Sequence, residues 1–229
     1  MTTANLARRM IAFGVVVLSL VAINSNAISG NCTSSSIGST PCSIATPGHY
    51  TLTASLTGAA NVNAINVNVN DVVLDMAGWN LKGGSGADGV YGGSSENTTV
   101  RIGHSTGSGY GGIVLGNDCD IEQVIAYNNS SYVGIYPNDN SIVLQNIATG
   151  NSWGIWSASD DLYNQNVATG SGNYELGASG SLVTDNAVGN AGMDFGANVG
   201  YGRNVSSTSS CVFGSGTSMG DNVCNGTKQ

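Results

Sequence analysis

The sequence predicts an all-β chain wound as a parallel β-solenoid, and three observations lead there. The first is composition: 34 of 229 residues are Gly and only 9% are charged, with Asn, Ser and Thr abundant. These residues favour turns and strands over helix interiors. The second is alternation of apolar and polar residues, as in Ile-Asn-Val-Asn-Val-Asn over 65–70, a period of two rather than 3.6. The third is repetition. One unit recurs between residues 110 and 204, as GGIVLGNDCDIEQVIAYNN, VGIYPNDNSIVLQNIATGN, WGIWSASDDLYNQNVATGS and NYELGASGSLVTDNAVGN.

The apolar residue that opens each unit runs as Ile65, Val90, Ile113, Ile135, Ile155, Tyr174 and Met193, with gaps of 25, 23, 22, 20, 19 and 19. A strand–turn–strand unit of ~20 residues cannot bury its apolar face alone and must stack on its neighbours. Winding the units in one direction puts equivalent residues about 4.8 Å apart, the spacing between strands in a sheet. Equivalent side chains then form ladders. Asn146, Asn166, Asn186 and Asn204 are expected to make one at a corner, where stacked carboxamides bond up and down the column.

The termini read differently. Arg8 and Arg9, the apolar stretch 10–23 and the small residues Ser25-Asn26-Ala27 form a signal peptide cleaved after Ala27. Cleavage leaves four basic and fourteen acidic residues, a formal charge of −10. Export places the protein outside the cell or in a periplasm. Two local disulfides are expected there, Cys32–Cys42 and Cys211–Cys224, with Cys119 left as a buried small hydrophobe. The predicted organisation is signal peptide 1–27, N-terminal cap 28–43, β-helix 44–205 and C-terminal cap 206–229. Covers at the two ends hide unpaired strand edges.

The segments Thr46-Pro-Gly-His-Tyr-Thr-Leu and Val72-Val-Leu-Asp-Met-Ala-Gly-Trp-Asn-Leu-Lys-Gly, with the Asn-x-Ala-Thr-Gly-Asn and Gly-Ile phrases of 134–155, resemble coils of the right-handed parallel β-helix repeat family. The resemblance covers roughly 44–205. It implies the pectate-lyase-like fold, in about seven right-handed coils, and a superfamily of secreted polysaccharide lyases, hydrolases, epimerases and binding modules.

Several function classes are excluded or weakened. With six Lys and Arg in all, the chain cannot neutralise a phosphate backbone, so nucleic acid is not expected as a partner. No membrane partner is expected after signal cleavage, and the chain is expected to be a monomer. The paired basic residues of pectate lyases, the Gly-His-Gly of polygalacturonases and the Asp-Pro-His-Asp of mannuronan epimerases are missing, as are H-E-x-x-H, G-x-S-x-G and a phosphate loop.

Three constellations remain. Asp75, Arg101 and Glu122 each follow an inward apolar residue, which gives a surface charge ladder or an Arg flanked by acids for uronate chemistry. Asp118, Asp139 and Asp160, spaced 21 and 21, are what such turns need, so no cofactor is expected, and the alternative is a carboxylate column for calcium. Finally, if Ile135, Ile155, Tyr174 and Met193 point inward, alternation sends Tyr136, Trp156, Glu175 and Asp194 outward in one column. Two aromatics beside two carboxylates suit a sugar, with Tyr136 and Trp156 stacking on rings. Glu175 and Asp194 are then the candidate acid/base pair, about 5 Å apart on adjacent coils, as in retaining glycosidases. A one-residue slip would reverse this column. The expected function is polysaccharide binding, against the alternatives of a uronate-polymer lyase, hydrolase or epimerase and of a purely structural surface protein.

Overall fold

The computed structural model describes residues 30–228 apart from 33, 34, 40, 190 and 209–211. The predicted signal peptide and Cys211 lie outside the described residues. Every regular element among those described is a β-strand. The strands stack into a parallel β-solenoid with three faces per coil.

The first face is a sheet of ten strands running from Gly30–Asn31 through Ile65–Val67, Ile113–Leu115, Val133–Tyr136 and Trp153–Trp156 to Val212–Gly214. The second face includes Gly48–Leu52, Val72–Asp75, Ile142–Leu144, Leu162–Asn164 and Leu182–Thr184, and the third includes Asn80–Lys82, Ile147–Thr149, Val167–Thr169 and Ala187–Val188. Two longer strands, Thr98–Thr106 and Asp120–Tyr127, run through both the second and third faces. All pairings are parallel except that of Val223–Cys224 with Thr227–Lys228, which ends the stack antiparallel.

Alternation places every second residue of the strands in the core, as Val72 and Leu74 show. On the first face the inward column is Ile65, Val90, Ile113, Ile135, Ile155, Leu176 and Met193. On the second it is Leu74, Val100, Ile121, Val143, Tyr163 and Val183, and on the third Ala126, Ala148, Ala168 and Val188. These side chains are buried. The small residues on the third face leave room for Tyr163, the largest fully buried side chain.

The corner between the second and third faces shows how sequence sets direction. Ile102, Gln123, Gln145, Gln165, Asp185, Arg203 and Asp221 all adopt φ between 53° and 60°. One left-handed residue per coil bends the chain from one face to the next, within the strand at Ile102 and Gln123 and between strands in the later coils. After Gln145, Gln165, Asp185 and Arg203 the next residue along is the predicted asparagine, whereas Gly103 and Val124 follow Ile102 and Gln123. Asn146 N–H donates to Asn166 Oδ1 at 3.0 Å, Asn166 N–H to Asn186 Oδ1 at 2.9 Å, and Asn186 N–H to Asn204 Oδ1 at 2.9 Å. Each carboxamide NH2 also donates to a carbonyl of the preceding coil, as Asn166 does to Val143 O at 2.8 Å. The ladder runs one coil further than expected, to Asn222. A buried corner is thereby left with its donors satisfied.

The other two corners carry ladders of mixed composition. At one, the N–H groups of Cys119, Ser141 and Asp161 donate to Ser141 Oγ, Asp161 Oδ1 and Ser181 Oγ of the following coil, at 3.2, 2.7 and 3.1 Å. At the other, Ser108 N–H donates to Asn129 Oδ1 and Asn129 N–H to Asn151 Oδ1, both at 3.0 Å.

The terminal segments continue the coils. Gly30–Asn31, Ser36–Ile37 and Cys42–Ile44 pair in parallel with the next coil, and Thr217–Ser218 and Val223–Cys224 do so at the far end. The stack therefore extends past both boundaries of 44–205, because polar segments with few apolar residues still supply backbone rungs. Cys32 and Cys42 form the expected disulfide, with Cα atoms 5.3 Å apart. Cys224 is also disulfide-bonded. Cys119 is free and buried, its Sγ 3.1 Å from Ser141 Oγ, and burial pushes its thiol up to about 12.

Candidate functional site

On the first face the outward column reads Asn66, Tyr91, Val114, Tyr136, Trp156, Gly177 and Asp194. Tyr136 and Trp156 are thus neighbours on successive coils and partly exposed, as the alternation required. Glu175 is not in this column. The inward partner of Ile155 is Leu176, not Tyr174. The two lie two residues apart, so both satisfy the alternation, and Leu fills the core without bringing a hydroxyl into it.

The shift changes the role of Glu175. It is fully buried and its N–H bonds Gly192 O at 3.1 Å, which places it level with Gly154 and Gly192. In neighbouring coils a Cβ at Gly112 or Gly134 would collide with the carboxamides of Asn129 and Asn151. The Glu175 carboxylate instead lies against Gly189 of the following coil, where a Cβ would stand 3.2 Å from its Oε1 and no side chain closes the space. Both carboxylate oxygens of Glu175 accept the Ser171 N–H at 3.1 Å. The acid therefore completes a corner. Asp194 lies two residues past Gly192 on the outer surface, with its pKa raised by burial, so the predicted acid/base pair does not share a column.

In place of the pair the structure brings together aromatics. Trp153 meets Trp156 edge to face with centroids 4.6 Å apart, and Tyr174 lies 5.6 Å from Trp153 and 6.4 Å from Trp156. One and two coils earlier, Tyr132 stacks on Tyr110 at 4.7 Å and approaches Tyr136 at 6.0 Å. Trp156 lies over Gly177, where a Cβ would overlap its Cε3 atom. Sequence reasoning found Tyr136 and Trp156 but missed Tyr110, Tyr132, Trp153 and Tyr174. Tyr110, Tyr132 and Tyr174 precede the first-face strands and Trp153 opens one, so alternation within the strands did not point to them. The usable signal was recurrence of an aromatic just before or at the start of the first-face strand in four consecutive units.

Acids border these rings. Tyr132 and Tyr136 are held above the usual tyrosine range mainly by burial, with Asp88 adding to the first and Asp139 and Asp161 to the second. Burial also pushes Asp88 and Asp161 up to about 6, against the opposing bonds from the amides of Gly111 and Ser141. For Asp161 the neighbouring Ser157 hydroxyl opposes burial more than the Ser141 amide does, although its Oγ lacks hydrogen-bonding geometry to the carboxylate.

The other two constellations resolve as follows. Asp118 and Asp160 occupy equivalent left-handed turn positions, but the residue between them in the column is Asn140, with φ values of 54°, 61° and 60° for the three in that order. Asp139 sits one residue earlier and accepts Ser159 Oγ–H at 3.0 Å. Coils there are 22 and 20 residues apart, so an even spacing of 21 crosses the register. Among the described residues no three His, Cys, Asp or Glu converge to hold a metal. Asp75, Arg101 and Glu122 do form one ladder, with Arg101 Nε donating to Asp75 Oδ2 at 3.2 Å.

Comparison with protein-family models, with curated proteins and with solved structures gives no match for this chain.

Proposed function

We propose that this protein is an exported polysaccharide-binding β-solenoid, working as a monomer outside the cell or in a periplasm, and that it binds glycan without transforming it. In this reading it is a divergent member of the right-handed, pectate-lyase-like repeat group that residues 44–205 resemble. One observation carries the proposal: six aromatic side chains gather on the outer surface of the first face, where no core needs them. Flat apolar rings with acids at their margin offer sugar rings stacking and hydroxyl groups acceptors. Burial of Glu175 beneath the face removes half of the candidate catalytic pair, which favours binding over hydrolysis or lyase chemistry.

The test is affinity electrophoresis through gels containing soluble polysaccharides, comparing wild type with Trp153→Ala and Trp156→Ala. An aromatic contact of about 1 kcal/mol corresponds to roughly a fivefold loss of affinity. Retardation that both variants retain in full places any glycan site elsewhere. Release of reducing ends or unsaturated uronates by the wild type would show an enzyme instead.

A further inference from the structure

We infer that the aromatic face selects uncharged glycan chains and that such a chain runs along the solenoid axis across both aromatic clusters. The inference rests on the proposed function and specifies its ligand.

Charge argues for the selection. Asp88, Asp139 and Asp161 act electrostatically on Tyr132 and Tyr136, and Asp194 follows Gly177 in the column of Trp156. The described cations are placed elsewhere. Arg101 pairs with Asp75 on the second face, Arg203 pairs with Asp185 at the corner beyond it, and Lys82 belongs to the third face. A uronate polymer carries a carboxylate on each ring and would be repelled by these acids, over a Debye length of about 8 Å. A neutral chain offers hydroxyl donors to Asp139 and Asp194, the two of these acids that are only partly buried.

Geometry argues for the direction. Tyr110 precedes the strand Ile113–Leu115, Tyr132 and Tyr136 belong to the next coil, Trp153 and Trp156 to the one after, and Tyr174 precedes Leu176–Ala178. These four coils are stacked about 4.8 Å apart, so the rings extend roughly 14 Å along the axis. Within a coil the ring centroids are only 6.0 Å apart for Tyr132 and Tyr136 and 4.6 Å for Trp153 and Trp156. One sugar ring covers one cluster. Only a linear chain aligned with the axis reaches both.

The experiment titrates the full chain with a size series of neutral β-linked gluco-oligosaccharides, and with polygalacturonate at low and high salt, by isothermal calorimetry. The expected result is affinity that rises tenfold or more with oligomer length and levels off once both clusters are spanned. Polygalacturonate should bind at least tenfold more weakly at low salt, and salt should narrow that gap. The combined variant Asp139→Asn with Asp194→Asn should narrow it as well. Tighter binding of polygalacturonate than of neutral chains overturns the selection, and affinity independent of length overturns the axial path. Either result leaves the aromatic face as a glycan site. Absence of binding to every carbohydrate defeats the proposed function itself.

Discussion

Replacing Asn166 with alanine removes the middle of the asparagine ladder, and the structure sets the size of the loss. The Asn166 carboxamide accepts from Asn146 N–H at 3.0 Å and donates to Val143 O at 2.8 Å. It also links Asn146 Nδ2 at 3.1 Å to Asn186 Oδ1 at 3.0 Å, but those two groups keep other partners in Ile121 O and the Asn166 N–H. Val143 O keeps its strand partner, the Asn164 N–H, which the parallel register sets against it. Only Asn146 N–H is left without a partner, and at about 1–3 kcal/mol for a buried polar group left unsatisfied the cost is roughly that amount. Asn166→Asp keeps the acceptor but turns the donor into a second acceptor aimed at Val143 O. Only its protonated form restores a donor, so its native pKa is raised and its penalty grows as pH climbs above the unfolded value. Urea unfolding followed by circular dichroism measures both variants, with Gln165→Ala as the exposed control, expected within about 0.5 kcal/mol of wild type. An Asn166→Ala variant no less stable than Gln165→Ala would refute the ladder as a source of stability.

Four further outcomes are expected. Ile102 is a β-branched residue at φ 53° and exposed, so Ile102→Asn should raise the melting temperature by relieving strain of about 1–2 kcal/mol. Gly177→Ala should dislodge Trp156 from the surface it covers, changing tryptophan fluorescence and weakening glycan binding while far-UV circular dichroism stays as in wild type. Asp88 and Asp161, both raised by burial from 3.8 to about 6, bind protons more readily folded than unfolded. Their contribution to stability is greatest in acid and is lost as pH rises through about 6, so Asp88→Asn with Asp161→Asn should flatten the fall in unfolding free energy between about pH 4 and 7. Glu175→Ala should lower thermal stability, because Ser171 N–H loses its acceptor, and Glu175→Gln should recover most of it.

Much of the fold was legible because a solenoid repeats its instructions. Six of the seven residues traced as opening the units, all but Tyr174, occupy the inward column, and the four asparagines stack as read. The ladder of Cys119, Ser141, Asp161 and Ser181 was invisible, since its members share a backbone position while the residue type changes from each coil to the next. The candidate site failed at one point with large consequences. Tyr174 and Leu176 fit a two-residue period equally well, and choosing the tyrosine placed Glu175 beside Trp156 and Asp194. The glycines at 112, 134 and 154 held the information that Glu175 enters a space closed in neighbouring coils. Equal spacing misled the reading of Asp139 for a related reason, because coil length changes from 22 to 20 there.

The protein carries its own control for the central claim, that the first face binds glycan through its aromatics. It has three tryptophans: Trp153 and Trp156 in the cluster, and Trp79, 42% exposed, just before the third-face strand Asn80–Lys82. Their indole N–H resonances can be followed by NMR during titration with a soluble neutral β-glucan. Saturable shifts of the Trp153 and Trp156 signals, with Trp79 unmoved, are the predicted result. Shifts confined to Trp79, or none at saturating glucan, would contradict the claim.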